Sequence, residues 1–110
     1  MTTTAFSWNI QRHDGGTVLE LHGDVNSTAA SGFDAAYEQI AGEEGSITID
    51  FSDTDFISST GIALVVSLLA KARAVHRPVI ARGLTDHYRE IFRITRLSDF
   101  LTIEQHAEAW

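Results

Sequence analysis

Cysteine is absent from these 110 residues, and proline occurs once, at Pro78. Without cysteine there is no disulfide framework and no thiolate metal site. Basic residues are few: eight Lys and Arg stand against fifteen Asp and Glu, for a formal net charge of −7. They are also scattered along the chain. A nucleic-acid surface needs a clustered basic patch, and adsorption to anionic lipid needs the same sign of charge, so neither partner is expected. Long hydrophobic runs are missing as well. The longest, Gly61 to Ala70, falls short of the ~20 residues that a bilayer span requires. The N-terminus, MTTTAFSW, has no basic region followed by an apolar block and does not read as a secretory signal. What remains is 44% hydrophobic and 21% charged, ordinary for a globular chain. One cytoplasmic domain over residues 1–110, with no membrane insertion, is the expectation.

Enzyme signatures are missing too. There is no G-x-x-x-x-G-K-[ST] phosphate loop and no G-x-S-x-G elbow. His13, His22, His76, His87 and His106 show no metal-ligand spacing, so a solvated surface is expected for each. Asp50, Asp53 and Asp55 could gather to hold Mg²⁺. The favoured alternative is that Asp53 and Asp55 shape a turn through side-chain to backbone hydrogen bonds. No nucleophile, base and orienter assemble by spacing, so the chain reads as a non-enzyme with no cofactor and no metal.

The organising stretch runs from Ile47 to Val75. Ile47, Ile49 and Phe51 alternate with Thr48, Asp50 and Ser52, the period of a strand with one buried face. A polar break follows at Asp53-Thr54-Asp55, and then Phe56-Ile57 and Ser58-Ser59-Thr60-Gly61. After Gly61 a Leu, Val and Ala-rich segment predicts a helix, apolar enough to be packed on more than one side. Hydroxyl residues at a helix start cap its free amides. A phosphate on one of them would be held by the same amides and the helix dipole. From local chemistry Ser58, Ser59 and Thr60 are therefore either caps or a phosphorylation site.

Either side of this stretch the pattern continues. Ala5 to Arg12 and Thr17 to Gly23 read as two strands of a hairpin turning through His13-Asp14-Gly15-Gly16. Gly23 to Ser27 turns the chain. A first helix capped by Asn26, Ser27 or Thr28 runs to about Ala41, and Gly42 to Gly45 end it. Pro78 follows the second helix, and Val79 to Ala81 begin a fourth strand. A third helix spans Asp86 to Ile94, with Tyr88, Ile91 and Phe92 inward. Leu97 to Ile103 leads to a fifth short strand, and the tail EQHAEAW could add a helical turn. Strands alternating with helices after a hairpin imply an α/β fold with a mixed sheet and helices packed against it.

The run I-D-F-S-x-x-x-F-I-S-S-T-G-I at 49–62 resembles the STAS domain of bacterial anti-sigma factor antagonists. So does Ala81-Arg82-Gly83-Leu84 with Tyr88, Ile91-Phe92-Arg93-Ile94-Thr95, Leu97 and Phe100-Leu101, and so does Gly23-Asp24-Val25 before the first helix. Nearly the whole chain is covered. The resemblance implies a single STAS-type domain whose phosphorylated residue is Ser59, with Ser58 and Thr60 as alternatives. It implies a partner-binding surface of Asp24, Asn26, Asp55, Ser58, Ser59, Thr60, Gly61 and Ile62. Its partners would be a GHKL-type serine kinase, itself the anti-sigma factor, which binds the unmodified domain and is released on phosphorylation, and a PP2C-type phosphatase that reverses the mark. Two positions depart from the family: its Asp before the serine is Ser58 here, and its Asp before the first helix is Asn26. The alternative is a non-phosphorylated STAS subunit of a lipid-transport ABC complex, docking on its ATPase by the same surface. Either form would be a monomer or weak dimer.

Overall fold

Asp14 and Gly15 make the first turn. Gly15 holds a φ of +97°, which few other residues tolerate, and joins β1 (Ser7–His13) to β2 (Gly16–Val25) as an antiparallel hairpin. The computed structural model describes residues 5–104; most of the predicted helical turn in the tail, and His106, lie outside that range. Asn26 then caps a short 3-10 turn (Ser27–Ala29), its side chain accepting from the Thr28 amide at 3.0 Å, and α1 (Ala30–Ile40) continues from it. β3 (Ser46–Ile57), α2 (Ser59–Ala74), β4 (Val79–Arg82), α3 (Asp86–Ile94), a second 3-10 turn (Leu97–Asp99) and β5 (Thr102–Ile103) follow.

The strands lie in sequence order, β1 to β5, and every pair after the hairpin is parallel. Parallel crossovers are right-handed. In a sheet whose order never reverses, that rule puts α1, α2 and α3 on one face. The core follows from it: Leu19, Leu21, Ile47, Ile49, Phe51, Val79 and Ala81 lie beneath Phe33, Ile40, Val65, Leu68 and Phe92. The opposite face is polar. There Asn9 and Gln11 donate to the Glu20 carboxylate at 3.2 and 3.1 Å, and Arg82 donates to Asp50 at 2.9 Å.

Three sequence expectations need correction. The predicted break at Asp53-Thr54-Asp55 is strand, because β3 keeps pairing with β2 to Ile57. It does so with surplus residues. From Glu20 to His22 is two steps on β2, while the paired Asp50 to Asp53 is three on β3; Gly23 to Asp24 is one, while Thr54 to Phe56 is two. Each surplus residue is a bulge, and bulges interrupt the alternation by which a strand is recognised. Thr54 uses its hydroxyl to bond the Leu21 carbonyl at 3.2 Å. For the same reason β2 runs on to Val25, where a turn from Gly23 was expected.

Finally, α2 is buried mainly along one face. Gly61, Val65, Leu68, Leu69 and Ala72 are covered, while Val66 stays 45% exposed. Next to that face, α1 contributes the Lys71–Asp34 ion pair at 3.5 Å and Tyr37 beneath the Lys71 ammonium. At the far end of the helix Arg77 is buried. Its Nε donates to the Gly45 carbonyl at 2.8 Å and its Nη1 to the Ile40 carbonyl at 2.7 Å, which satisfies the exposed end of α1.

Candidate functional site

The carboxyl ends of β2 and β3 and the start of α2 meet at one edge of the sheet, and every residue expected at the site belongs to that edge. The junction is held from three sides. The Ser58 amide donates to the Val25 carbonyl at 3.0 Å. The Ile57 amide donates to the Tyr88 hydroxyl at 3.0 Å. Gly61, buried under the first turn, lies so close to β2 that a Cβ there would fall 2.9 Å from the Val25 carbonyl carbon. Only glycine lets the helix start this near the strand end.

The three hydroxyls then separate into different roles. Ser58 is half-buried and is the N-cap, its Oγ accepting from the Gly61 amide at 3.0 Å. Ser59 and Thr60 are the first two helical residues, and both side chains are exposed. Among the described residues their amides have no hydrogen-bond acceptor. A hydroxyl at this position stands in the positive field of the helix end, beside free N–H groups that suit an anion.

The surround is acidic. Asp24 pairs with Phe56 across β2 and β3, and Asp55 is exposed beside it. Asn26 is occupied in capping, its Oδ1 accepting from the Thr28 hydroxyl at 2.6 Å as well as from its amide. Ile62 is half-buried one position beyond Gly61. Gly61 itself, being buried, shapes the edge and presents no surface.

Two residues join the site that were not expected there. Phe56 is 51% exposed between Asp55 and Ile57, an apolar ring at the rim of the acidic patch. It follows the second bulge of β3, where Asp24 pairs with Phe56. Tyr88 pins the Ile57 amide from 31 residues away, a tie that no local pattern signals.

Two of the three aspartates considered for metal bond separate partners, and Asp55 is exposed. Asp50 accepts from the amide and hydroxyl of Ser52 at 2.9 and 2.6 Å and from Arg82. Burial pushes its carboxyl up, but those Ser52 and Arg82 contacts outweigh burial and hold it below the usual range. Asp53 bonds His22 at 2.7 Å. Among the described residues no three His, Asp or Glu side chains converge as an ion would require. Nor is any helix among them long and apolar enough to cross a membrane.

The family model described as "Mlab, STAS domain" matches residues 8–103. A protein of Bordetella bronchiseptica, provisionally named anti-sigma factor antagonist BtrV, is 29% identical over 97 residues, covering 87% of this chain and 84% of its own. Among solved structures, the anti-sigma factor antagonist SpoIIAA in its unphosphorylated form superposes with a TM-score of 0.72 at 19% identity, covering 94% of this chain and 90% of that one. The Bacillus cell fate determinant SpoIIAA in the phosphorylated form superposes at 0.69 and 20% identity, covering 93% of each. At these identities the solved structures speak to the fold, a five-stranded mixed sheet with its helices, which this chain shares.

Proposed function

This chain belongs to the STAS domain family, and from that premise we propose that it is an anti-sigma factor antagonist switched by phosphorylation of Ser59. The observation that carries the reading is the division of labour at the start of α2: Ser58 is consumed as the cap while the Ser59 hydroxyl stands exposed in the first turn. Unmodified, the edge formed by Asp24, Asn26, Asp55, Phe56, Ser58 to Thr60 and Ile62 binds a GHKL-type kinase that is also the anti-sigma factor. That partner transfers the γ-phosphoryl group of ATP to the Ser59 oxygen, and the hydroxyl proton leaves to the kinase's base.

The product carries about two negative charges at pH 7. It places them beside Asp24 and Asp55, so the surface that faced the partner becomes strongly anionic and costly to desolvate. Release follows, and a PP2C-type phosphatase resets the cycle by hydrolysis. The domain supplies no catalysis; the chemistry belongs to its partners. An ATP-dependent cycle of this kind places the protein in the cytoplasm. That SpoIIAA has been solved both with and without phosphate supports the reading by likeness.

A second reading follows from Ser58. Where the antagonists carry Asp before the serine, this chain has an uncharged cap, and Asn26 removes another carboxylate. The same edge would then be a permanent docking surface, as in a lipid-transport ABC complex where the domain sits on the ATPase. Incubation with the cognate kinase and ATP, followed by tandem mass spectrometry, separates the two. The switch predicts one phosphate, on Ser59, and none on a Ser59→Ala variant. No phosphate on the native protein, with stable binding to an ATPase subunit, gives the second reading.

A further inference from the structure

We propose that the cleft between α2 and the segment Thr95–Phe100 is a second docking surface, built for an amphipathic helix of a partner protein that carries an acidic side chain beside its apolar stripe. The cleft measures about 360 Å³ and is lined by Val66, Leu69, Ala70 and Arg73 of α2 and by Leu97 and Phe100 across from them. The α2 residues recur at the three- and four-residue spacing of one helix face, so the apolar strip runs along α2 for two turns. It is open to solvent: Val66 is 45% exposed and Phe100 55%.

One charge lies among the lining residues, and it is positive. The Arg73 guanidinium sits 5.3 Å from the centroid of the Phe100 ring. Arg93 and Arg96 are paired with Glu90 and Asp99, but Arg73 has no carboxylate partner among the described residues. An apolar strip two turns long, with one guanidinium at its rim that meets no carboxylate among the described residues, matches a helix laid into a groove, with Leu-type anchors and one Glu or Asp reaching Arg73. A second copy of this chain matches it less well, since each copy brings a net charge of −7 to the contact.

The strip is separate from the Ser59 edge. From Ser59 to Leu69 is ten residues of helix, about 15 Å at 1.5 Å per residue. Occupation of the cleft is therefore compatible with either state of Ser59.

Two fluorescein-labelled synthetic peptides of about four helical turns test this, sharing one Leu stripe and differing only in Glu or Lys beside it. Anisotropy with the full chain should show the Glu peptide binding about three- to fivefold more tightly, the worth of one exposed ion pair. Val66→Glu should weaken it about tenfold by losing an anchor and adding a like charge. Arg73→Glu should reverse the preference. Circular dichroism checks that each variant is folded; if Val66→Glu is not, the exposed Ala70→Glu replaces it. Ser59→Asp should bind the Glu peptide as the native chain does, so failure of the phosphorylation reading leaves this result untouched.

Equal affinity for both peptides, no binding, or indifference to Val66→Glu and Arg73→Glu overturns the proposal. So does self-association in sedimentation velocity that Val66→Glu abolishes, which assigns the cleft to a second copy. Binding by a chain ending at residue 104 but not by the full chain also overturns it, assigning the cleft to the chain's own tail.

Discussion

Replacing Gly61 by alanine adds one methyl group where the first turn of α2 meets the end of β2. That methyl would lie 2.9 Å from the Val25 carbonyl carbon, closer still to its oxygen, and 3.1 Å from Ile57 Cγ2. The obstacle is mostly backbone, so no rotamer change relieves it; the helix start must move away. Overpacking of this kind costs about 1–3 kcal/mol. Moving the turn also strains the 3.0 Å bond from the Ser58 amide to Val25, worth about 1 kcal/mol. Against this, alanine favours a helix over glycine by about 1 kcal/mol. The net expectation is a loss of about 1–3 kcal/mol, at roughly 4–8 °C in Tm per kcal/mol for a domain of this size. Gly42→Ala is the control. No heavy atom lies within 4 Å of a Cβ there, so the change should be neutral or stabilise by up to about 1 kcal/mol. Urea unfolding followed by circular dichroism reads both. A Gly61→Ala protein that unfolds at the native midpoint, while the control behaves as stated, would refute the close approach that sets the geometry of the site.

Arg77→Met should cost about 1–2 kcal/mol, because it removes the guanidinium bonds to the Gly45 carbonyl and to the buried Ile40 carbonyl, which keeps only the Glu43 amide at 3.1 Å; a urea midpoint unchanged from native would contradict this. Tyr88→Phe should cost about 1 kcal/mol by freeing the Ile57 amide. It should also speed amide exchange at Ile57 more than at Ile49, and uniform exchange would count against Tyr88 as the anchor. The Asp50 carboxyl is held low in the fold, so its contribution is present above the unfolded value of about 3.9 and is lost as pH falls through the lower folded value. Asp50→Asn should flatten that part of the acid limb in a pH series of unfolding free energies; a limb of unchanged slope would show that Asp50 does not contribute to it.

The period of the apolar residues made most elements legible. The third helix lies where its pattern put it, at Asp86–Ile94, and the hairpin turns on Gly15. What stayed hidden has a physical cause in each case. The bulges of β3 broke the alternation at 52–55 and disguised a strand as a turn. The apolar composition of α2 implied cover on several sides, but composition does not say that the Val66 side would be left open. At the site, a hydroxyl-rich helix start was plain in Ser58-Ser59-Thr60. Which hydroxyl is spent as a cap depends on a bond to the Gly61 amide that only the folded loop defines. Arg77 and Tyr88 act across 32 or more and 31 residues respectively, beyond the reach of any local pattern.

The most direct test is the affinity of the cognate anti-sigma kinase for this protein before and after stoichiometric phosphorylation, measured by calorimetry without ATP turnover. If Ser59 is the switch, the unmodified protein and Ser59→Ala bind alike, while the Ser59-phosphorylated protein binds at least about a hundredfold more weakly, the loss of some 3 kcal/mol that an unpaired dianion at a buried contact implies. Equal affinity of the two forms would contradict it.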